Sequence, residues 1–237
     1  MSFEILHLSD LHFGNPAAYL SRKEAGKVLD SLLAKVNAQA VFLVISGDIV
    51  LEGNQIGYSE ALAVINGAIE RNKVNRSRVL LCPGNHDIVK EVNGRRYFAS
   101  FDEWSAGVRG DKECTFAGMP ARLIENELGC FLLINSAYHA DHKIGLVDLN
   151  AVEELLRDLP TSGETTQLQM RVAITHHHMV PVLQDDASTM RNAYGLIQLL
   201  GKYSFSALLH GHQHAMLNIN MEKAKMRLSG VGSFSYS

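Results

Sequence analysis

Five short stretches hold most of the residues that could do chemistry, and in each the reactive types follow an apolar run: LSDLHFG, VISGDIV, LCPGNHDIV, ITHHHMV and LLHGHQHAM. Residues two apart on an extended chain face one side, so Asp10 with His12, and His212 with His214, each aim two donors into one space. Glycines stand beside the others: Gly47 before Asp48, Gly84 before Asn85, Gly211 before His212. There a chain leaving a strand must turn tightly or approach a bound ion closely. Two carboxylates, an amide oxygen and several imidazoles are donors that suit borderline divalent ions such as manganese, iron or zinc. They are too many for one tetrahedral ion, and Asp48, with two carboxylate oxygens to share, is the better group to bridge a pair. Metal pairs that catalyse displacement at phosphorus lie about 3.5–4 Å apart and can lower the pKa of bound water to roughly 7. Two dications, two carboxylates and one hydroxide sum to about +1, which favours a phosphate. The chemistry expected is hydrolysis at phosphorus.

The elements that must position these groups are legible as alternating patterns. FEILHLS reads as a first strand, AVFLVIS as a strand buried on both faces, and RVLLCPG as a third. Between them SRKEAGKVLDSLLAKVNAQ and YSEALAVINGAIERNK carry helical apolar spacing, the first opened by a capping box of Ser21 and Glu24. A β-α-β-α-β opening implies parallel strands joined by crossover helices. Farther on, ARLIENELGCFLLINS predicts two strands around a turn near Asn126, and DLNAVEELLRDLP a short helix capped by Asp148. QMRVAIT and FSALLH predict strands separated by the helix NAYGLIQLLGKY, and the tail predicts a hairpin turning near Glu222 and Lys223. Ligands of open α/β sheets bind at the carboxyl ends of strands, so all five stretches can converge there.

The chain has 237 residues, 46% hydrophobic and 20% charged, with a net charge of -3. That size suits one α/β domain. The balance gives no electrostatic footprint for nucleic acid or acidic membranes. No apolar stretch is long enough to span a bilayer, and the first residues lack the pattern of a secretory signal. Cys82, Cys114 and Cys130 have no metal-ribbon spacing and read as structural thiols of a reducing compartment, so a cytoplasmic location is expected. The strand-like run that ends the chain leaves room for a longer native protein. The count of 11 histidines is high for this length, and they cluster at strand ends.

In order along the chain, D-x-H, G-D, G-N-H-D, H and G-H-x-H resemble the motif set of the calcineurin-like metallophosphoesterases. They stand here as Asp10-x-His12, Gly47-Asp48, Gly84-Asn85-His86-Asp87, His176 and Gly211-His212-x-His214, and the resemblance runs from Leu6 to about Ala215. It implies a four-layer αββα sandwich, two mixed β-sheets with helices outside, as a single domain over residues 1–237. It implies two divalent ions, manganese first and iron or zinc otherwise: one on Asp10, His12 and His214, the other on Asn85, His176 and His212, with Asp48 bridging. A hydroxide between the ions would attack phosphorus in line. His86, not a ligand, would contact the phosphate and protonate the leaving oxygen, as suits a side chain whose charge changes near neutrality. Asp87 would orient the His86 loop without forming a dyad with it.

The family's ligand is the first histidine off its strand, two positions before a site often held by proline. His176 takes that place and His178 stands where the proline would be. His177 should then point away from the ions, while His178 reaches the phosphate pocket or fills space. The polar segment 89–118 reads as an inserted lid, with Arg95, Arg96 and Trp104 as candidate substrate-reading residues beside His178. A solvated loop with a small core of its own is the other reading of that segment. His7 and His210 read as core or as support behind the ligands, His139 and His142 as cleft lining or solvated loop, and Asp185 and Asp186 as exposed charge.

FLLINS and GLVDLNAVEELLRDLP look most like the class III cyclic-nucleotide phosphodiesterase branch, which implies a small, nucleotide-type phosphodiester as substrate. A repair-type DNA exonuclease shares all five motifs, but the acidic balance stands against it. A metal-free scaffold, like the related retromer subunit, can lose ligands freely, whereas every ligand position and His86 are intact here. GDIVLEG departs from the G-D-x-x-D-R-G of the family's protein phosphatases.

Overall fold

Continuous apolar runs pair in the middle of the molecule, and amphipathic runs cover them. The computed structural model describes residues 3–38, 40–89, 97–139, 143–161 and 170–235. Strands β1 (Glu4–Leu8), β2 (Val41–Ser46) and β3 (Val79–Cys82) form a sheet in that order, every pair parallel. Helices α1 (Arg22–Leu33) and α2 (Gln55–Asn72) make the crossovers. The Ser21 side chain accepts the Glu24 N–H while the Glu24 carboxylate accepts the Ser21 N–H, closing the expected capping box. Ala25, Leu29 and Leu33, four apart, form the buried stripe of α1. Central β2 is buried along its whole length, as its unbroken apolar run required.

The second sheet has the order β4-β5-β6-β7-β9-β8. It comprises β4 (Ala121–Asn126), β5 (Gly129–Ile134), β6 (Met170–Thr175), β7 (Ala207–His210), β8 (Leu217–Met221) and β9 (Met226–Gly230). Its two edge strands are antiparallel to their neighbours and the four inner strands are mutually parallel. Both hairpins turn where the sequence places them.

Alternation along the inner strands shows the layering. Phe131, Leu133, Val172, Ile174 and Leu209 join the core of the first sheet. Leu132, Ile134, Ala173 and Leu208 face the other way, into a second core with α4 (Leu149–Leu156) and α5 (Ala193–Lys202). Phe42 and Phe131 meet between the sheets with ring centroids 4.4 Å apart. The result is two sheets face to face with helices outside. One detail differs from expectation: the described first sheet is purely parallel, because each of its connections is a crossover helix, and only the second is mixed.

The expected lid is also corrected where it is described. Residues 90–96, with Arg95 and Arg96, lie outside the described residues. The rest folds into α3 (Ala99–Arg109), which buries Phe101, Trp104, Ser105 and Val108 in the main core with Phe98, Cys114 and Phe116. Trp104 is 3% exposed, its ring 5.7 Å from Phe101 and 6.2 Å from Tyr58. It holds α3 to the core and cannot stack on a substrate. The Arg109 guanidinium donates to the Val79 carbonyl and pairs with Asp111 at 2.8 Å and Glu113 at 2.7 Å, so a buried charge is satisfied where the helix ends.

Candidate metal centre

Among the described residues, nine other than glycine have positive φ, and five of them are predicted ligands: Asp10 (56°), His12 (47°), Asp48 (53°), His212 (74°) and His214 (52°). The left-handed region costs an ordinary residue roughly 1–2 kcal/mol, so such a concentration marks backbone bent to a purpose. The bends are held in place by the neighbouring chain. Asp10 N–H donates to Gly47 O at 3.1 Å and His12 N–H to Asp48 O at 3.0 Å, which ties the loops after β1 and β2 together. Gly211 N–H donates to His176 O at 3.0 Å, and His212 N–H to Asp10 Oδ2 at 3.0 Å. Two glycines allow the close approach. A Cβ on Gly47, at φ +89°, would lie 2.6 Å from Gly84 N and 2.7 Å from His176 Nδ1, and one on Gly84 would strike the Asp48 carboxylate.

The loops bring the donors into two adjoining groups. Asp10, His12 and His214 form one and Asp48, His176 and His212 the other, with the donor atoms of each within 4.8 Å of one another. In the first, buried Asp10 Oδ1 faces His214 Nε2 at 3.3 Å and His12 Nε2 at 3.9 Å. In the second, His176 Nδ1 lies 2.8 Å from the Ser46 carbonyl, which can only accept, so Nδ1 carries the proton of the neutral ring. Nε2 then presents a lone pair, and around it stand Asn85 Oδ1 at 3.0 Å, His212 Nδ1 at 3.1 Å and Asp48 Oδ2 at 3.2 Å. With His212 Nδ1 also unprotonated, these four atoms turn lone pairs toward one point, a place that a shared proton or a cation would fill. This donor chemistry fits a borderline divalent ion.

The charges answer to the same arrangement. Burial opposes a charge on His176, but Asp48 and Asp10 outweigh it and hold the pKa up at about 9, so a proton fills the place of a cation. Burial likewise works against the Asp48 carboxylate, yet His176 keeps its pKa well below the ordinary range. His212, buried beside His176, is pushed down to about 3 and is a neutral donor. Asp87 is buried and raised to about 7 by burial and the Asp48 charge. Its oxygens accept from Gly84 N (2.8 Å), Ile49 N (3.0 Å) and the Tyr58 hydroxyl (3.0 Å), pinning the loop of Asn85 and His86 to the one after β2. Asp87 thus braces its loop and does not pair with His86. Half-buried His86 donates its backbone N–H to Asp48 Oδ1 at 2.8 Å, and its ring lies 5.4 Å from that of His12.

The remaining histidines sort by their partners. His177 belongs to neither group; its Nδ1 is 2.8 Å from Ser136 Oγ and its ring packs against His212 at 4.5 Å. His7 Nε2 lies 2.7 Å from Ser46 Oγ, behind the His176 anchor. His139 is exposed, and His142 is outside the described residues. Two expectations need correction. His178 does not open on a phosphate pocket: it is fully buried with Nε2 2.6 Å from Asp186 Oδ2. Asp186 accordingly is not exposed charge, its side chain being 3% exposed, while Asp185 is exposed. Ser46, Ser136, Asp186 and Gln213 support the site without announcing themselves, since serine, aspartate and glutamine look the same on a surface. Only His178 in place of proline offered a signal, as an imidazole there needs a partner.

The profile of the calcineurin-like phosphoesterases matches residues 3–216. Solved structures of similar fold include a dimetal phosphatase from Danio rerio, 12% identical with a TM-score of 0.54, covering 98% of this chain and 88% of that one. A purple acid phosphatase from yellow lupin (Lupinus luteus) seeds is 13% identical with a TM-score of 0.58, covering 98% of this chain and 44% of the other. A putative 5′-nucleotidase from Staphylococcus aureus is 13% identical with a TM-score of 0.53, covering 98% and 48%. The chain therefore spans less than half the length of the latter two, and at these identities the likeness is one of fold. No curated protein matches in sequence.

Proposed function

The chain belongs to the calcineurin-like phosphoesterase family, and from that premise we propose that it is a dinuclear-metal phosphodiesterase acting on a small, nucleotide-type diester. The observation that carries the reading is the convergence of Asn85 Oδ1, His212 Nδ1 and Asp48 Oδ2 on His176 Nε2, next to a second group in which Asp10 Oδ1 faces the rings of His214 and His12. Asp10, His12 and His214 would hold one divalent ion, and Asn85, His176 and His212 the other, with Asp48 shared. Manganese is the ion we expect, iron or zinc the alternatives. When bound, such a pair activates water and neutralises charge developing on phosphoryl oxygens.

The chain's own groups do the rest. Only two carboxylates, Asp10 and Asp48, stand among the proposed ligands, so two dications leave an excess of positive charge that suits a singly charged diester. His86 sits at the rim, fixed by its N–H on Asp48, and would donate a ring proton to the departing oxygen. The bracing of its loop by Asp87 would help to hold the imidazole in place for a bound substrate. Three free, buried cysteines support a cytoplasmic location. No helix among the described residues is long and apolar enough to cross a membrane.

The test is hydrolysis of diesters with good and poor leaving groups, manganese supplied, by wild type, Asp48→Asn and His86→Ala. Asp48→Asn should lose both metal and activity. His86→Ala should keep its metal and lose about 10²–10⁴ in kcat on the poor leaving group, with a much smaller loss on nitrophenolate, which departs without a proton. Equal losses on both substrates would remove His86 from the acid role. Cleavage of linear DNA ends but not of small diesters would move the chain to the nuclease branch, and a metal-free, inert wild type would make it a scaffold.

A further inference from the structure

We infer that His178, Asp186, Ser188 and Gln213 form a clamp that positions His212 and His214; this rests on the metal reading above. His178 Nε2–H donates to Asp186 Oδ2 at 2.6 Å, and its ring stacks on His212 with centroids 5.5 Å apart and planes 20° from parallel. The Asp186 carboxylate also accepts Ser188 N–H at 2.9 Å, Ser188 Oγ–H at 2.7 Å and Val182 N–H at 3.3 Å. Ser188 Oγ in turn accepts from Gln213 Nε2 at 2.7 Å. The chain of bonds therefore begins beside His176, crosses the segment between β6 and α5, and ends on the residue between His212 and His214.

Two features make this more than a loop satisfying itself. The pair at its centre is buried, side chains 0% and 3% exposed, although residues 181–185 around it are exposed. A surface turn does not need an imidazole–carboxylate pair taken out of water, and here that cost is offset by the further donors from Ser188 and Val182. Both ends of what it grips, His212 at φ 74° and His214 at φ 52°, are left-handed. Such conformations persist only where surroundings over-determine them. His212 belongs to one donor group and His214 to the other, so one clamp sets the geometry of both. None of the four residues is in either group; they are positioning residues, acting through the two histidines.

The experiment titrates metal-free wild type, Gln213→Ala, Asp186→Asn and Asp48→Asn with manganese chloride by calorimetry, and records the thermal midpoint of each metal-free protein. Gln213→Ala cuts the outer arm alone and should leave the metal-free midpoint unchanged while weakening manganese binding about 10–100-fold, the usual effect of losing a group behind a ligand. Excess manganese should then restore kcat. Asp186→Asn should weaken binding at least as much. Wild-type affinity in both variants, with binding lost in Asp48→Asn, overturns the clamp and leaves the metal centre standing. A wild type that binds neither manganese nor, titrated in the same way, zinc or ferrous iron overturns both.

Discussion

Protons and divalent ions compete for His176, and the competition has a size. Without an ion the imidazole titrates at about 9, because Asp48 and Asp10 outweigh the burial that opposes its charge. At pH 7 it stands two units below that value, so a bound proton must leave before Nε2 can accept a cation. Each unit is tenfold, or about 1.4 kcal/mol. Manganese should therefore bind roughly a hundredfold more weakly at pH 7 than above pH 9, with the dissociation constant tightening about tenfold per unit between. Stability of the metal-free protein moves the opposite way. The folded pKa lies above the unfolded value of 6.5, so this group's contribution is fully present below about pH 6.5 and is lost as pH rises through about 9. The loss amounts to roughly 3 kcal/mol. Calorimetric titration from pH 6.5 to 8 in two buffers of different ionisation enthalpy measures affinity and proton release together. A dissociation constant flat across that window, with no buffer-dependent heat, would refute the placement of a proton between His176 and Asp48.

Other expectations follow from packing. Trp104→Ala should cost about 3–5 kcal/mol in chemical denaturation, as large aromatic truncations in a core do, with KM unchanged; a shifted KM at undiminished stability would restore the lid. Asp87→Ala strips the acceptor from two buried backbone N–H groups and the Tyr58 hydroxyl, each worth about 1–3 kcal/mol when orphaned. It should destabilise the protein by roughly 3 kcal/mol or more, whereas Tyr58→Phe should cost about 1 kcal/mol. A denaturation midpoint for Asp87→Ala within error of wild type would contradict its bracing role.

How much could be read beforehand differs by kind of information. Strand β2 and the Ser21–Glu24 cap were legible because continuous apolar runs and capping pairs are local signals. The donors were legible because histidines and aspartates crowd the ends of those runs. Helix α3 was not, since its apolar positions Phe98, Phe101, Trp104 and Val108 are diluted by polar residues, although spaced three or four apart. The spacing was there, and polarity obscured it. The pairing of His178 with Asp186 was beyond reach for another reason: they stand eight positions apart along irregular chain, and no periodicity governs a loop. Likewise nothing in Ser46 foretold that its carbonyl would select the tautomer of a histidine 130 positions away.

Each donor group draws on both sheets: Asp10, His12, Asp48 and Asn85 follow strands of the first, His176, His212 and His214 strands of the second. Neither half of the polypeptide owns a whole coordination set. Severed between β3 and β6, the protein would yield two pieces that each offer an incomplete grip, and high affinity for a divalent ion would return only on their reassociation. Ion capture is thereby a direct report on whether the two leaves of the sandwich have closed.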